Sequence, residues 1–240
     1  MPFVFLQKNE MKFFVILFLN FLFNNDLQKG IQLFEQSKYE EAKKVFEKIL
    51  TENPKDYQAM EYLGDIAFYQ KDWESCMMHF GKLKDVFPKN ADFHFKYGGA
   101  MGFHAKEISK FKALRLIDTI EASFLKAASL DPYHIHVRWA LVMFYCELPG
   151  IFGGSEKKSL KYATELMQIS KVDGYLAYGH IEEYFKRYEK AEQYFLKAHQ
   201  IGNSKVTFQR LFDLYSNKMK DAAKAQKLKS ASSSKNSYYL

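Results

Sequence analysis

The sequence contains little cysteine and no signature of a common catalytic site. Only two cysteines occur in 240 residues, Cys76 and Cys146, and neither belongs to a metal-ligand motif. His94 and His104 are ten residues apart, which does not place them on one helical face. The patterns Gly-x-Ser-x-Gly, His-Glu-x-x-His, Cys-x-x-Cys and GxxxxGK[ST] are all missing. We therefore expect a non-enzyme without metal or cofactor, and two buried free thiols.

The sequence also lacks an apolar run of the roughly 20 residues that cross a membrane as a helix. Its longest run, Phe13–Phe23, follows Met11 and Lys12, and a basic residue before a short apolar stretch is typical of an export signal. No Ala-x-Ala motif follows, so an uncleaved anchor is an alternative, as is a buried N-terminal helix. No Cys ends the run, which argues against a lipoprotein. We assign residues 1–25 to a leader and signal, with translation starting at Met1 or Met11.

Positive charge is concentrated at the C-terminus. The net charge is +7, and residues 218–240 hold six lysines against one aspartate. The remaining body is almost neutral, so the basicity is that of a solvated tail and a nucleic-acid partner is not expected. Residues 219–240 are predicted to form this basic, Ser-rich, disordered tail, with a short helix around 219–229. Residues 26–218 are predicted to form the folded domain.

A period of 34 residues runs through that domain. The residues that repeat at this spacing are Gly30, Gly64 and Gly98, Phe46 and Phe80, and Pro54 and Pro88. Such a period indicates an array of helix-turn-helix units, each with a helix A and a helix B. The glycine in helix A would let helix B approach closely, which offsets its cost of about 1 kcal/mol inside a helix. A small residue and a Phe follow it by twelve and sixteen residues, and the proline ends helix B.

These residues resemble the tetratricopeptide-repeat family. The matching residues are Gly30, Ala42, Phe46 and Pro54; Leu63, Gly64, Phe80 and Pro88; Tyr97, Gly98, Phe124, Ala127 and Pro132; Leu141 and Tyr145; Gly179, Ala191, Phe195 and Ala198. The resemblance implies an all-α, right-handed solenoid of about five repeats plus a C-terminal capping helix. The repeats are predicted at 23–56, 57–90, 91–134, 135–171 and 172–205, and the cap at 206–218.

Two repeats depart from the period. The third has ten extra residues within Ala105–Thr119, a stretch without Pro or Gly, so both of its helices are predicted to be longer. The fourth has about five extra residues within Leu148–Ser155, a Pro-Gly-x-x-Gly-Gly-Ser insertion. The combination resembles a subfamily of bacterial exported tetratricopeptide-repeat proteins. This resemblance implies a location in the periplasm or cell envelope, or on the inner membrane if the signal anchors the chain.

The resemblance also implies a binding surface on the concave side, where positions 5, 9 and 12 of each helix A face inward. The residues predicted there are Glu61, Asp65, Phe68, Phe95, Gly99, Gly102, Trp139, Met143, His180 and Glu183. Some members of the family bind a C-terminal carboxylate with a Lys at position 5 and an Asn at position 9. Neither residue is present at these positions here. We therefore expect a scaffold that binds a protein or peptide of apolar or basic character. Filling of the groove by the long third-repeat helices is an alternative.

Three further hypotheses involve smaller features. Gly153, Gly154 and Ser155 precede a predicted helix and form either an anion-binding loop or a turn with an N-cap. Gly98, Gly99 and Gly102 leave a thin helix face for a ligand or for a packed neighbouring helix. An alternative function is that of a small-ligand carrier or enzyme with its site near the extended third repeat and the Gly153-Gly154 loop. A deep closed pocket lined by His104, Lys110 and Arg138 would favour it. A membrane-anchored assembly subunit is the remaining alternative.

Overall fold

A computed structural model describes residues 26–233 of the chain. The predicted signal and the choice between Met1 and Met11 lie outside the described residues, as do the last seven residues of the basic tail. Within residues 26–233 every regular element is helical. No helix in this part of the chain is both long and apolar enough to cross a membrane.

The α-helices follow the predicted order of repeats. They are α1 (26–35), α2 (Tyr39–Glu52), α3 (Tyr57–Tyr69), α4 (Trp73–Val86), α5 (Ala91–Glu107), α6 (Lys110–Leu114), α7 (Ile117–Leu130), α8 (Ile135–Glu147), α9 (Glu156–Ile169), α10 (Lys171–Tyr184), α11 (Tyr188–Gly202), α12 (Lys205–Asp213) and α13 (Ala222–Ser233). A 3-10 turn, Gly150–Phe152, precedes α9, and a π-helix, Leu214–Met219, follows α12. The A helices are α1, α3, α5, α8, α10 and α12.

The chain divides into two compact units, whose described parts are residues 26–113 and 114–233. In unit 1 the core is built from the residues that define the repeat. Ala42, Cys76 and Phe46 are fully buried, and Phe80 is almost so. The Phe46 ring covers Gly30, where an added Cβ would lie 2.6 Å from a ring carbon. A larger residue at Gly30 would separate α1 from α2, which explains the glycine.

Short polar side chains begin the helices of unit 1. The Asp56 carboxylate accepts the Ala59 N–H at 2.9 Å, and the Asp72 carboxylate accepts the Ser75 N–H at 3.1 Å. Both bonds satisfy a backbone donor that has no partner within its own helix. The lone pairs of Asp72 are thus directed to the start of α4, and the pKa of this carboxyl is below its usual value mainly because of the bond to Ser75.

The ten extra residues of the third repeat have a different structure from the one predicted. α5 is longer than the other A helices, with 17 residues, but α7 has the ordinary length of 14. The remaining extra residues form the separate short helix α6, Lys110–Leu114. The lengthening of both helices was therefore predicted correctly only for α5. Absence of Pro and Gly permitted a continuous helix but did not require one.

Unit 2 repeats the same packing. Gly179 on α10 lies against the ring of Phe195 on α11, and Ala191 and Phe195 are fully buried. Hydroxyl and imidazole side chains begin its helices: His134, Ser155, Ser170 and Ser204 each accept the N–H three residues ahead.

The end of unit 2 corrects the predicted tail boundary. Residues 222–233 form α13, and Ala225 is buried against the preceding elements. Disorder was therefore wrong for this segment, although a short helix near it was expected. Both cysteines are buried and free, as predicted. Burial raises the pKa of the Cys76 thiol to about 12, so this thiol stays protonated at neutral pH.

Candidate functional site

In unit 1 the predicted acidic residues converge on one lysine. The Lys96 ammonium of α5 lies 2.9 Å from a carboxylate oxygen of Glu61 and 2.9 Å from one of Asp65, both on α3. The three side chains are between a quarter and two fifths exposed, so they are accessible from solvent. Two carboxylates and one ammonium leave this surface with a net negative charge.

Burial and charge act against each other in this triad. Burial raises the pKa of Asp65, and the Lys96 ammonium offsets the effect only in part. Burial lowers the pKa of Lys96, but the attraction of Asp65 and Glu61 outweighs it and leaves that pKa above 10.5. The Lys96 ammonium is therefore stabilised in its charged form and holds the two carboxylates in place.

Phe68, the aromatic residue predicted for this surface, belongs to a group of three rings. Its centroid lies 5.6 Å from that of Trp73 and 5.6 Å from that of Phe103. Trp73 and Phe103 stack with centroids 5.0 Å apart and planes at 13°. Phe103 occupies the same place on α5 that Tyr69 occupies at the end of α3, so the regular repeat places the third ring.

An equivalent group of rings occurs one repeat earlier. Phe34, Tyr39 and Tyr69 have centroids 5.0–5.9 Å apart, and Tyr69 contacts Phe68 edge to face at 6.1 Å. We refer to the six residues as the aromatic ladder: Phe34, Tyr39, Phe68, Tyr69, Trp73 and Phe103. It follows the edge where the A helices of unit 1 end and the B helices begin.

This ladder was not predicted from the sequence, although its rings also repeat every 34 residues. Phe34 and Phe68, Tyr39 and Trp73, and Tyr69 and Phe103 are each 34 residues apart. The 34-residue period was identified only from the glycines, the buried phenylalanines and the prolines. Three rings of the ladder are more than one third exposed: Phe68 by 37%, Phe103 by 44% and Tyr69 by 57%.

The glycines of α5 lie beside these rings. An added Cβ at Gly99 or Gly102 would meet no atom within 4 Å, so a packed neighbour does not explain either glycine. Both positions are only partly buried, and so is Phe95, one turn before Gly99. The thin face that the three glycines were predicted to leave on this helix is therefore open at Gly99 and Gly102. Gly98, by contrast, is buried.

In unit 2 the structure places Trp139 and His180 together. The Trp139 indole N–H donates to the Asp173 carboxylate at 2.9 Å, and the ring centroids of Trp139 and His180 are 6.4 Å apart. The Ser170 hydroxyl donates to the other oxygen of Asp173 at 2.6 Å. These bonds fix the indole between α8 and α10. Met143, one turn along α8, is 38% exposed.

His180 and Glu183 are close to charged groups of the end of unit 2. Burial lowers the pKa of His180, and the Arg210 guanidinium lowers it further, while Glu147 opposes both. The imidazole is therefore neutral at pH 7, and its Nε2 is buried without a hydrogen-bond partner. Burial raises the pKa of Glu183, which lies 3.9 Å from the Lys218 ammonium. The surface around His180 and Glu183 is thus more buried than the triad of Glu61, Asp65 and Lys96, and its charges are more nearly balanced.

The Gly-rich loop has the geometry of a turn and an N-cap. The N–H groups of Gly153 and Gly154 donate to the carbonyls of Gly150 and Pro149 at 3.1 and 3.2 Å, and the Ser155 N–H donates to Tyr145 at 2.9 Å. Gly153 has a φ of 99°, which favours glycine. A Cβ on Gly154 would collide with the Leu148 carbonyl oxygen. The loop amides therefore bind carbonyls of the loop and of α8 in place of an anion.

Arg138 serves the end of a neighbouring helix. Its guanidinium donates to the carbonyls of Ala128 at 3.2 Å and Asp131 at 2.7 Å, at the C-terminus of α7, and the side chain is 5% exposed. Cations stabilise this end of a helix because its carbonyls have no partner within the helix. Arg138 therefore has a structural role. Its guanidinium is occupied by the end of α7 and is not available to bind a small ligand, as the carrier or enzyme hypothesis requires.

Comparisons with known proteins agree with this architecture. A tetratricopeptide-repeat family model matches residues 27–75. A tetratricopeptide-repeat protein from Parabacteroides merdae superposes with a TM-score of 0.64 at 12% identity, and the match covers 88% of this chain and 79% of that one. A thermophilic protein of the same class from Thermus thermophilus gives a TM-score of 0.59 at 15% identity, with 88% of this chain and 97% of that one covered.

A third structure is that of YrrB, described as a tetratricopeptide-repeat protein with an unusual peptide-binding site. Its TM-score is 0.54 at 16% identity, and the match covers 76% of this chain and 87% of YrrB. No curated protein matches the sequence. At these identities the structural matches establish the fold, and the function has to be argued from the surfaces themselves.

Proposed function

We propose that this chain, a protein of the tetratricopeptide-repeat superfamily, is a non-catalytic scaffold that binds an extended segment of a partner protein along unit 1. The observation that supports this most directly is the combination of the aromatic ladder with the acidic triad of Glu61, Asp65 and Lys96. Partly exposed rings supply binding energy because aromatic side chains dominate the energetics of protein interfaces. The carboxylates of Glu61 and Asp65 favour partner segments that carry positive charge.

The chemistry of the surface specifies the partner segment. Its apolar side chains would lie on Phe68, Tyr69 and Phe103, which together present one continuous set of rings. Its Lys or Arg side chains would approach Glu61 and Asp65, which carry one charge more than Lys96 neutralises. The peptide-binding site named for YrrB is a precedent within the same fold.

The open face at Gly99 and Gly102 favours an extended segment over a helix. With no side chain on either residue, the backbone of a bound segment can approach α5 closely. The triad is held by ion pairs between α3 and α5, so the surface needs little reorganisation on binding.

We also propose that binding takes place in the cell envelope. The support is the Lys12 and Phe13–Phe23 pattern of an export signal. If that segment is retained as an anchor, the scaffold would be tethered at the inner membrane, as an assembly subunit would be.

Site-specific photo-cross-linking in cells tests the binding proposal. A photoreactive amino acid at Tyr69 in the ladder is compared with one at Met78 on α4, because these residues have similar exposures of 57% and 51%. We expect capture of a defined partner from position 69 and not from position 78. Equal capture from both positions would refute a binding surface at the ladder.

A pair of matched variants then tests the ring contact. Phe103→Ala and Tyr184→Ala each remove a ring that is 44% exposed, but only Phe103 belongs to the ladder. Loss of an aromatic anchor should weaken partner binding by about tenfold or more for Phe103→Ala. Tyr184→Ala should bind like the parent, with circular dichroism confirming that both variants are folded.

A further inference from the structure

The extra segment of the third repeat contains a helix that the repeat packing does not explain. α5 ends at Glu107, the backbone becomes extended at Ile108, and α6 begins two residues later at Lys110. No residue of α6 is buried, so this helix adds no side chain to a hydrophobic core. Because buried contacts do not account for its sequence, the reason for α6 has to be sought in its exposed side chains.

Positive charge within unit 1 is concentrated at this segment. Residues 26–104 hold eleven Lys against thirteen Asp and Glu, a net charge of −2 with histidine neutral. Residues 105–113 hold three Lys against one Glu, a net charge of +2. Lys110 and Lys112 are both exposed, in the first turn of α6. A negatively charged partner would therefore be attracted to α6 and not to the rest of unit 1.

An aromatic ring lies between these two lysines. Phe111 is 85% exposed, whereas Ala113 and Leu114 are only partly exposed, so α6 turns residues 110–112 toward solvent. A ring that projects this far can be buried only by entering its partner. The interface of a bilayer accepts a projecting ring without a preformed cavity, and it stabilises apolar side chains that have basic neighbours.

We propose that α6 is a membrane-contact helix that binds the surface of a bilayer containing anionic lipids. The Phe111 ring would enter the headgroup region, and the ammonium groups of Lys110 and Lys112 would lie next to lipid phosphates. Each lysine near such a surface strengthens binding by about fivefold, so α6 supplies a reversible contact and not a stable anchor. This contact goes beyond the proposed function and does not depend on the ladder or its partner.

A local fluorescent probe in the full chain tests the contact. Both native cysteines are buried, and burial raises the pKa of both thiols, so Phe111→Cys can be labelled selectively with the environment-sensitive dye NBD. Met78→Cys on α4 is the control, because Met78 is 51% exposed. Since the signal is local, insertion of the N-terminal apolar run into a vesicle would not produce it.

The expected signal depends on the lipid and on the position of the dye. At position 111 the emission should rise and shift to the blue with vesicles of phosphatidylcholine and phosphatidylglycerol, and stay unchanged with phosphatidylcholine alone. At position 78 neither vesicle should change the emission. No change at position 111 with the anionic vesicles, or the same change with the neutral ones, would refute a contact that anionic lipids select.

Two double variants of the labelled Phe111→Cys chain separate α6 from general charge. Lys110→Gln/Lys112→Gln removes the lysines beside the dye, and Lys55→Gln/Lys89→Gln removes two exposed lysines from the turns before α3 and α5. At a subsaturating lipid concentration the first variant should show an emission change about tenfold smaller, and the second should behave like its parent. Equal loss in both would overturn α6 as the contact.

Other partners of α6 give a different outcome in the same assay. A change at position 111 that an acidic peptide or a single-stranded oligonucleotide produces, and vesicles do not, would reassign α6 to that partner and refute the membrane contact. Circular dichroism checks that every variant keeps the helical fold. The assay requires neither export nor the ladder's partner, so a negative result would leave the proposed function in place.

Discussion

The ring of Phe80 lies directly on the bare surface of Gly64. A Cβ built on Gly64 would lie 2.7 Å from two carbons of that ring, closer than such atoms approach in real proteins. Phe80 is 1% exposed and packs with its neighbours, so it has no free space into which it could move. This contact sets the distance between α3 and α4.

The first prediction compares two glycines with opposite surroundings. Gly64→Ala should destabilise the fold by about 1–3 kcal/mol because the new methyl group overpacks against Phe80. Gly99→Ala should stabilise it by up to about 1 kcal/mol, since no atom lies within 4 Å and Ala favours the helix. Urea denaturation of both variants measures the difference. A shift of the same sign in both would contradict the contact geometry.

The second prediction concerns Lys96. Since burial raises the folded-state pKa of Asp65 above 3.8, its ionisation costs stability as pH rises through that pKa, and Lys96 limits this cost. Lys96→Met should therefore lose about 1 kcal/mol at neutral pH and less below pH 3.8, where Asp65 is protonated.

Denaturation curves at the two pH values provide the measurement, and Lys48→Met is the control. Lys48 pairs with Asp26 at an exposed site, so its loss should change stability little at either pH. A pH-independent loss in Lys96→Met would mean that the packing of its aliphatic stem, and not its charge, stabilises unit 1.

The third prediction concerns Ser155. Its hydroxyl accepts the Lys158 N–H at 3.3 Å, so Ser155→Ala should cost about 1 kcal/mol through loss of the N-cap. Because the loop amides bind carbonyls, sulfate should raise the melting temperature of parent and variant equally, compared with chloride at the same ionic strength. A rise in the parent that the variant lacks would restore the anion-loop hypothesis.

The fourth prediction concerns export. If residues Met11–Phe23 direct secretion, alkaline phosphatase fused to the C-terminus should be active in a bacterial host, because that enzyme needs an oxidising compartment. A fusion that lacks residues 1–25 should be inactive. Activity of both fusions, or fluorescence of a reporter that folds only in the cytosol, would contradict the proposed location.

Much of the fold follows from local rules that the sequence displays. Glycine, a small residue and Phe at fixed spacings predicted the helix pairs, because the contact between Gly64 and Phe80 depends only on two helices and one short turn. The N-cap at Ser155 followed from the same kind of local chemistry. The irregular third repeat was less predictable. Whether its extra residues extend α7 or form α6 depends on packing, and no single residue decides it.

The sequence by itself thus determined the repeat, the glycine-to-Phe packing and the burial of both cysteines, since each depends on residues within one helix pair. Only the tertiary structure decided which side chains meet across different pairs. Lys96 reaches Glu61 and Asp65, and Phe103 stacks on Trp73, because adjacent pairs lie side by side in the stack. Such contacts depend on the orientation of whole helices, which is set by the sum of all their packed side chains.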